Sequence, residues 1–374
     1  MAPSVTQEVC ARNILYASRW HTAFPGEGMV EQKIRNMEEF AAVSGISRPT
    51  VSKYFNDPAS VRHSTRKRIE AALERFDYRP NIYAMNQNRR LTKTVGIVVP
   101  YLADPFFAEI ARTIERLCIA AGYRTILLSS HGEQALEIEN LDNLRSLRPA
   151  GVLLAPLGRG SDRASIERFC ADVPSVLFDS RIEDVGEAFI GSDNTQSIAL
   201  IVDYLCRTGE PPCLFEMRTP TNPNARKRHA AYLAIMERLG HAPHIVQVEG
   251  HDWEFEAIGY RGGMQAIERR RFATDTVLCS NDRLAIGLLA AACEKGLRVG
   301  RGHGYAIRVA GHDDHPFARF TCPPLTTVSQ DYAAIAARSV ETLLALIDSE
   351  RAGSSGPSDK VVLFDGKLIM RQSA

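Results

Sequence analysis

The chain has 374 residues, 45% of them apolar and 24% charged, with 26 Gly and 19 Pro. At about 100 to 200 residues per domain this length holds two or three folding units, and the composition excludes collagenous, low-complexity and disulfide-scaffold classes. No window approaches about 18 consecutive apolar residues and no basic stretch with an apolar core and cleavage site opens the chain, so no membrane association or secretion is expected and the cytoplasm is the expected location.

The net charge is only +1, but it is unevenly spread. From Lys33 to Arg90 twelve basic residues face six acidic ones, so this stretch carries +6 and the remainder −5. A small basic module on a larger acidic one fits a polyanion-binding head on a body with a different task. The eight cysteines include no C-x-x-C pair and no His at ligand spacing. They read as reduced, mostly buried thiols, with no metal and no cofactor implied.

Residues 1–32 show no strong period and are expected to be a disordered leader or to precede a true start at Met29. The segment MEEFAAVS then places Met37, Phe40, Ala41 and Ser44 at three- and four-residue spacing, and Gly45 supplies a positive-φ turn. Ser47 is a natural N-cap for RPTVSKYFN, with Pro49 in the first turn, where its missing N–H costs little. Asp57-Pro58 ends that helix. Ser64 is expected to cap a third, whose Ile69, Ala72, Leu73 and Phe76 form one apolar stripe. Three short helices with a Gly in the first turn make a helix-turn-helix, whose second helix can lie in the major groove of DNA. Val51 and Phe55 face inward; Pro49, Thr50, Ser52, Lys53 and Asn56 lie outward, and Arg48 occupies the free N-terminal end.

These residues, from F-A-A-V-S-G-I-S-R-P-T-V-S-K-Y-F-N to the Tyr78-Arg79-Pro80-Asn81 that follows the third helix, resemble the DNA-binding head of the lactose-repressor (LacI/GalR) family of bacterial transcription regulators. The resemblance continues through nearly all of the remaining chain. It implies base-edge reading by Arg48, Pro49 and Lys53, with Thr50, Ser52 and Asn56 on phosphates. Pro49 offers only an apolar contact, and Lys53 is a point charge where a bidentate Arg is usual. In the implied hinge (Asn81, Ala84, Gln87, Arg89), Gln87 occupies the place of the family's minor-groove Leu. The bend is then smaller, or Met85 or Tyr83 substitutes.

After Thr92 apolar strands alternate with amphipathic helices, and the pattern restarts at CLFEM. Two successive α/β units with parallel sheets place a ligand cleft between lobes, at the carboxyl ends of strands. The expected fold is an all-α helix-turn-helix head (33–80), a hinge (81–93) and a two-lobed, periplasmic-binding-protein-like body (94–374). The lobes are expected at 94–192 with 331–349, and at 193–330 with 359–370. The resemblance implies effector contacts from Asp104, Phe107, Asp179, Arg228, Trp253, Asn281, Asp313 and Gln330, although Ala231 replaces the Gly usual after that Arg. Carboxylates, amides and one Arg around an aromatic plate suit a polyhydroxylated ligand, so the expected effector is a carbohydrate or close relative.

Several residues also admit a purely structural role: Asp282 and Asp314 as caps or loop ties, Trp253 as core, and His312 and His315 as bystanders rather than metal ligands. The alternative is a sugar-binding or sugar-processing protein without a transcriptional role. Asp104 with Asp179, or Asp313 with Asp314, would then be the paired carboxylates, yet no nucleophile elbow, P-loop or G-x-G-x-x-G accompanies them. A regulator, not an enzyme, is therefore expected. VVLFDGKLIMR reads as a strand closing the second lobe, and no leucine heptad follows Arg371, so a homodimer on a pseudo-palindromic operator is expected.

Overall fold

The computed structural model describes residues 34–76, 78, 92–221, 223–352 and 359–374. The chain divides into two compact units, Met1–Arg89 and Arg90–Ala374. The leader 1–32 and the hinge positions Asn81, Ala84, Gln87 and Arg89 lie outside the described residues.

In the first unit α1 spans Met37–Ser44, α2 Arg48–Asn56 and α3 His63–Phe76. Asn36 caps α1 by accepting from the Glu39 N–H at 2.9 Å, and Gly45 ends the helix at φ 64°, a left-handed turn that costs glycine nothing. The three helices enclose a small core of Phe40, Ile46, Val51, Val61, Ile69, Ala72 and Tyr78, with Tyr78 stacked on Phe40 at 4.7 Å. The expected Ser64 cap is corrected: α3 already begins at His63, so Ser64 lies in its first turn.

In the second unit the strands are β1 Thr94–Val99, β2 Arg124–Ser129, β3 Gly151–Leu154, β4 Ser175–Phe178, β5 Ala188–Ser192, β6 Cys213–Met217, β7 Ile245–Val248, β8 Thr276–Cys279, β9 Arg308–Ala310, β10 Thr327–Ser329, β11 Val361–Phe364 and β12 Lys367–Ile369. The helices are α4 Pro105–Ala120, α5 Gln134–Leu147, α6 Arg163–Asp172, α7 Asn194–Thr208, α8 Asn224–Arg238, α9 Phe255–Glu268, α10 Asp282–Glu294 and α11 Tyr332–Ala352. The first lobe is a parallel sheet in the order β11-β5-β4-β3-β1-β2, and the second is built on β7-β6-β8-β9. Single bridges from Ala310 to Thr326 and from Asp313 to Ser329 extend that second sheet to the antiparallel pair β10-β12. Beyond their first residues β1, β3, β4 and β8 are buried apolar runs, as parallel strands covered on both faces must be.

One buried apolar cluster passes from the first lobe to the second through Phe107, Trp253 and Phe255. The chain crosses between lobes three times: from β5 into α7, from β10 into α11, and from β11 into β12. The third crossing corrects the expectation of one C-terminal strand in the second lobe. Val361–Phe364 pairs with β5 of the first lobe, and only Lys367–Ile369 pairs with β10 of the second. At the break a Cβ on Gly366 would lie 2.6 Å from Val328 Cγ1 and 2.8 Å from Ser197 Oγ, so glycine alone lets the strand switch sheets there. The thiols are also less uniform than expected: Cys118, Cys213 and Cys279 are buried, whereas Cys293 and Cys322 are exposed.

Because Ile69 is wholly buried in a core of so few side chains, Ile69→Ala should destabilise the first unit by about 2 to 5 kcal/mol. Urea unfolding followed by circular dichroism is expected to show it as an early transition that leaves the second unit intact.

Candidate functional sites

The outward residues of α2 are placed as a reading surface requires. Arg48, Pro49 and Lys53 are exposed and Thr50 and Ser52 half-buried, while Val51 is buried beneath them. Asn56 closes the helix, and its side chain is outside the described ones. Ser47 does not bond the backbone of α2; its Oγ pairs with Thr50 Oγ1 at 2.8 Å. Arg48 makes one solvent-exposed pair, with Glu38 at 3.6 Å, weak enough to be exchanged for a base or phosphate.

In the second unit six of the eight residues expected to line the cleft stand in the loops that follow strands, Phe107 and Arg228 stand in the helices beyond them, and a bonded network ties Arg228, Asp313, Gln330 and Asp179 together. Arg228, on α8, is almost wholly buried. Its Nε donates to Asn194 Oδ1 at 2.9 Å, Nη1 to the Ser280 carbonyl at 2.8 Å and Nη2 to Asp313 Oδ1 at 2.7 Å. The same Asp313 oxygen accepts from His312 Nδ1 at 2.9 Å and from Gln330 Nε2 at 2.7 Å, and Gln330 Oε1 in turn accepts from Ser192 Oγ. Burial opposes ionisation of Asp313, but Arg228 and His312 hold its carboxyl below the usual range. His312, fully enclosed, is pushed down to about 4 by burial and so is neutral, with Nδ1 as the donor.

Asp179 follows β4 and accepts from Asn224 Nδ2 at 2.8 Å. Asn224 also donates to the Asp179 carbonyl at 3.2 Å and receives the Asn194 amide at 3.4 Å, which links the first-lobe aspartate to the Arg228 network. Burial raises the Asp179 carboxyl to about 7 against the pull of Lys227 and Arg228. Asp179 and Asp313 both hold positive φ, 61° and 123°, conformations that cost an L residue on the order of 1 to 3 kcal/mol and that collect at binding sites.

Asn281 caps α10 through Oδ1, which accepts the Leu284 N–H at 2.8 Å, and its amide nitrogen is left as a donor. Asp104 caps α4 in the same way through the Phe106 N–H at 3.0 Å. Burial raises its carboxyl while Arg283, bonded at 3.1 Å, draws it down. Trp253 is not the open plate that the sequence suggested: it stacks on Tyr101 of the first lobe at 5.3 Å and meets Phe107 edge-on at 6.1 Å. Asp282 and Asp314 tie loops. Asp282 accepts from Thr327 Oγ1 and the His315 N–H, both at 2.7 Å, and Asp314 accepts from Arg371 Nη2 at 2.7 Å. Asn194, Asn224 and Arg283 escaped the sequence reading. Only Asn224 left a signal, four residues before Arg228 on the same helix face.

A helix-turn-helix with an exposed reading surface, together with a two-lobed α/β body holding a buried polar network at its strand ends, defines a DNA-binding regulator with a small-molecule sensor. Residues 36–81 match the model of bacterial regulatory proteins of the lacI family, and residues 195–374 that of the periplasmic binding protein-like domain. The chain belongs to the lacI family and is a DNA-binding transcriptional regulator. It is 27% identical over 309 residues to the ribose operon repressor of Escherichia coli K12, an alignment covering 82% of this chain and 92% of that one. It is 28% identical to the transcriptional regulator MalR of Streptomyces coelicolor, covering 90% and 96%. The lac repressor dimer bound to operator and the anti-inducer ONPF superposes with a TM-score of 0.78 at 25% identity, covering 91% of this chain and 99% of that one. Among the described residues no helix is long and apolar enough to cross a membrane.

A raised carboxyl sets the sign of a pH effect. Folded Asp179 holds its proton up to about 7, whereas the unfolded chain releases it near the ordinary carboxyl value of 3.8, so its ionisation costs the fold nothing below the lower value and increasingly more up to the higher one. Asp179→Asn keeps an acceptor for Asn224 and removes that cost. The stability advantage of the variant should therefore be larger at pH 8 than at pH 5 by roughly 2 kcal/mol, as measured by denaturant midpoints at the two pH values.

Proposed function

We propose that this regulator is a cytoplasmic, homodimeric repressor that binds a pseudo-palindromic operator and loses or gains operator affinity when a carbohydrate, or a close relative of one, fills the cleft between its lobes. The observation that carries this reading is the network around Arg228. The bonds to Asp179 and Asp313 fall on Oδ1 of each, which leaves their Oδ2 atoms to accept ligand hydroxyls while the Asn281 amide donates. Such a mixture serves groups that both donate and accept, and sugar hydroxyls do. Opposite charges are closely balanced there: Arg228, Arg283 and Lys227 stand against Asp104, Asp313, Glu256 and a half-titrated Asp179, so an uncharged ligand suits the site. The ribose operon repressor among its relatives and the lac repressor dimer on its operator support the same reading.

On this reading the chain turns nothing over; it acts by binding. Asp104 and Asp179 hold the ligand from the first lobe and Arg228, Asn281, Asp313 and Gln330 from the second, with Phe107 and Trp253 packed between the lobes, so ligand binding draws the lobes together. A ligand shifts such an equilibrium only by its differential affinity for the two states, and a coupling of about 1 to 3 kcal/mol to DNA is the expected size. Dimerisation follows from the match between one head per subunit and a two-fold site.

Arg228→Ala and Asp313→Ala should remain folded and bind operator but lose their response to the sugar that shifts the wild-type operator titration. Wild-type response in both would move the ligand site elsewhere. In the first unit, Arg48→Ala should relax base preference at one position of each half-site by about 1 to 3 kcal/mol, measured by binding selection from randomised duplexes; a uniform loss across all positions would make Arg48 a phosphate contact.

A further inference from the structure

Arg283 lies in the first turn of α10, immediately after Asn281 and Asp282, and its side chain is only 12% exposed. Nε and Nη2 donate to the two carboxylate oxygens of Glu256 on α9, each at 2.7 Å, a bidentate pair inside the second lobe. Its carbon centre lies 5.0 Å from the Phe255 ring, over the aromatic face. The remaining nitrogen, Nη1, reaches across to Asp104 Oδ2 of the first lobe at 3.1 Å. One cation thus neutralises two carboxylates, one on each lobe. Both Asp104 oxygens are occupied, Oδ1 by the Phe106 N–H and Oδ2 by Arg283. The loop that holds Asp104 leads directly into the turn of α4 that carries Phe106 and Phe107, and Phe107 meets Trp253 of the second lobe. The guanidinium and the aromatic stack therefore fasten the same loop to the same lobe from two sides.

We infer that Arg283 is a positioning residue for the regulatory response: it clasps the first-strand loop, with Asp104 and Phe107, to the second lobe, so that closure of the cleft requires this pair. The charge that the loop brings to the cleft is thereby compensated before any ligand arrives, and the Glu256 bidentate pair fixes the angle at which Nη1 is presented. Removing the cation leaves Asp104 buried without a counter-charge when the lobes close, which disfavours the closed state. The inference rests on the proposed cleft reading, but its test uses no ligand, so its failure is distinguishable from a failure to find the effector.

The chain has two tryptophans, and Trp20→Phe in the full-length protein leaves Trp253, at the junction of the lobes, as the only reporter. Acrylamide quenching of Trp253 should rise several-fold in Asp104→Asn, which keeps the helix cap but loses the charge, and equally in Arg283→Gln. The double variant should rise no further than either single one, because both remove one interaction. Arg283→Lys should restore part of the protection, and Glu256→Gln should raise quenching less than Arg283→Gln. Wild-type quenching in Asp104→Asn, or additive effects in the double variant, would overturn the inference and leave Arg283 as a tie between α9 and α10 within one lobe. Should Arg283→Gln fail to fold, Asp104→Asn and Arg283→Lys decide the matter by the same measurement.

Discussion

A buried guanidinium has to find partners for its donors, and in this protein that requirement orders the polar network at the strand ends of the body. Removing an ion such as Arg228 from water costs several kcal/mol, recovered only if charge and hydrogen bonds are both met. The Arg228 nitrogens are met from three directions: the first residue of α7, the carbonyl that ends the β8 loop, and the aspartate beyond β9. Each partner is thereby fixed, and what each partner bonds is fixed with it. Asp313 gathers His312 and Gln330, Gln330 gathers Ser192, and Asn194 reaches Asn224 and through it Asp179. A single side chain thus sets the arrangement of loops contributed by both lobes.

Such an arrangement is not built for stability. Asp179, Asp313 and Asp314 all sit at positive φ, burial has raised the Asp179 carboxyl to about 7, and Asp282 is pushed up to about 8 for the same reason. Local conflict of this kind is what a site that trades stability for binding would show. Asp282 and Asp314 share the burial or the backbone conformation but differ in their bonding, since they accept from Thr327, His315 and Arg371, all ties within the second lobe.

How much of this was legible in the sequence depended on how local the cause was. The turn at Gly45 and the stripe through Ile69 and Ala72 are contiguous signals, and the structure repeats them; α3 begins two residues before the start that a Ser64 cap implies, because several polar residues there can each open a helix. Strand ends were readable because apolar runs stop abruptly at Asp104, Asp179, Asn281 and Asp313. The division of VVLFDGKLIM between two sheets was not, since an apolar run says nothing about which edge it meets, and only the crowding at Gly366 records the switch. Arg283 was invisible for the same reason: its partners are 27 and 179 residues away, and an Arg in the first turn of a helix otherwise reads as surface charge. The stacking of Trp253 on Tyr101 was not legible either, since only the packing of two lobes creates that contact.

The three crossings between the lobes lie close to this network, for Ser192 and Gln330, bonded to each other, stand at two of them. The polar site is therefore beside the axle and not out at the jaws. A ligand in the proposed cleft would act through a short arm: a small displacement at Gln330 or Asp313 would become a sweep of the far ends of both lobes, much as a small turn at a door's hinge moves its edge. Geometric gain of this sort would make the spacing of a handful of atoms near the pivot the quantity on which the proposed response is calibrated.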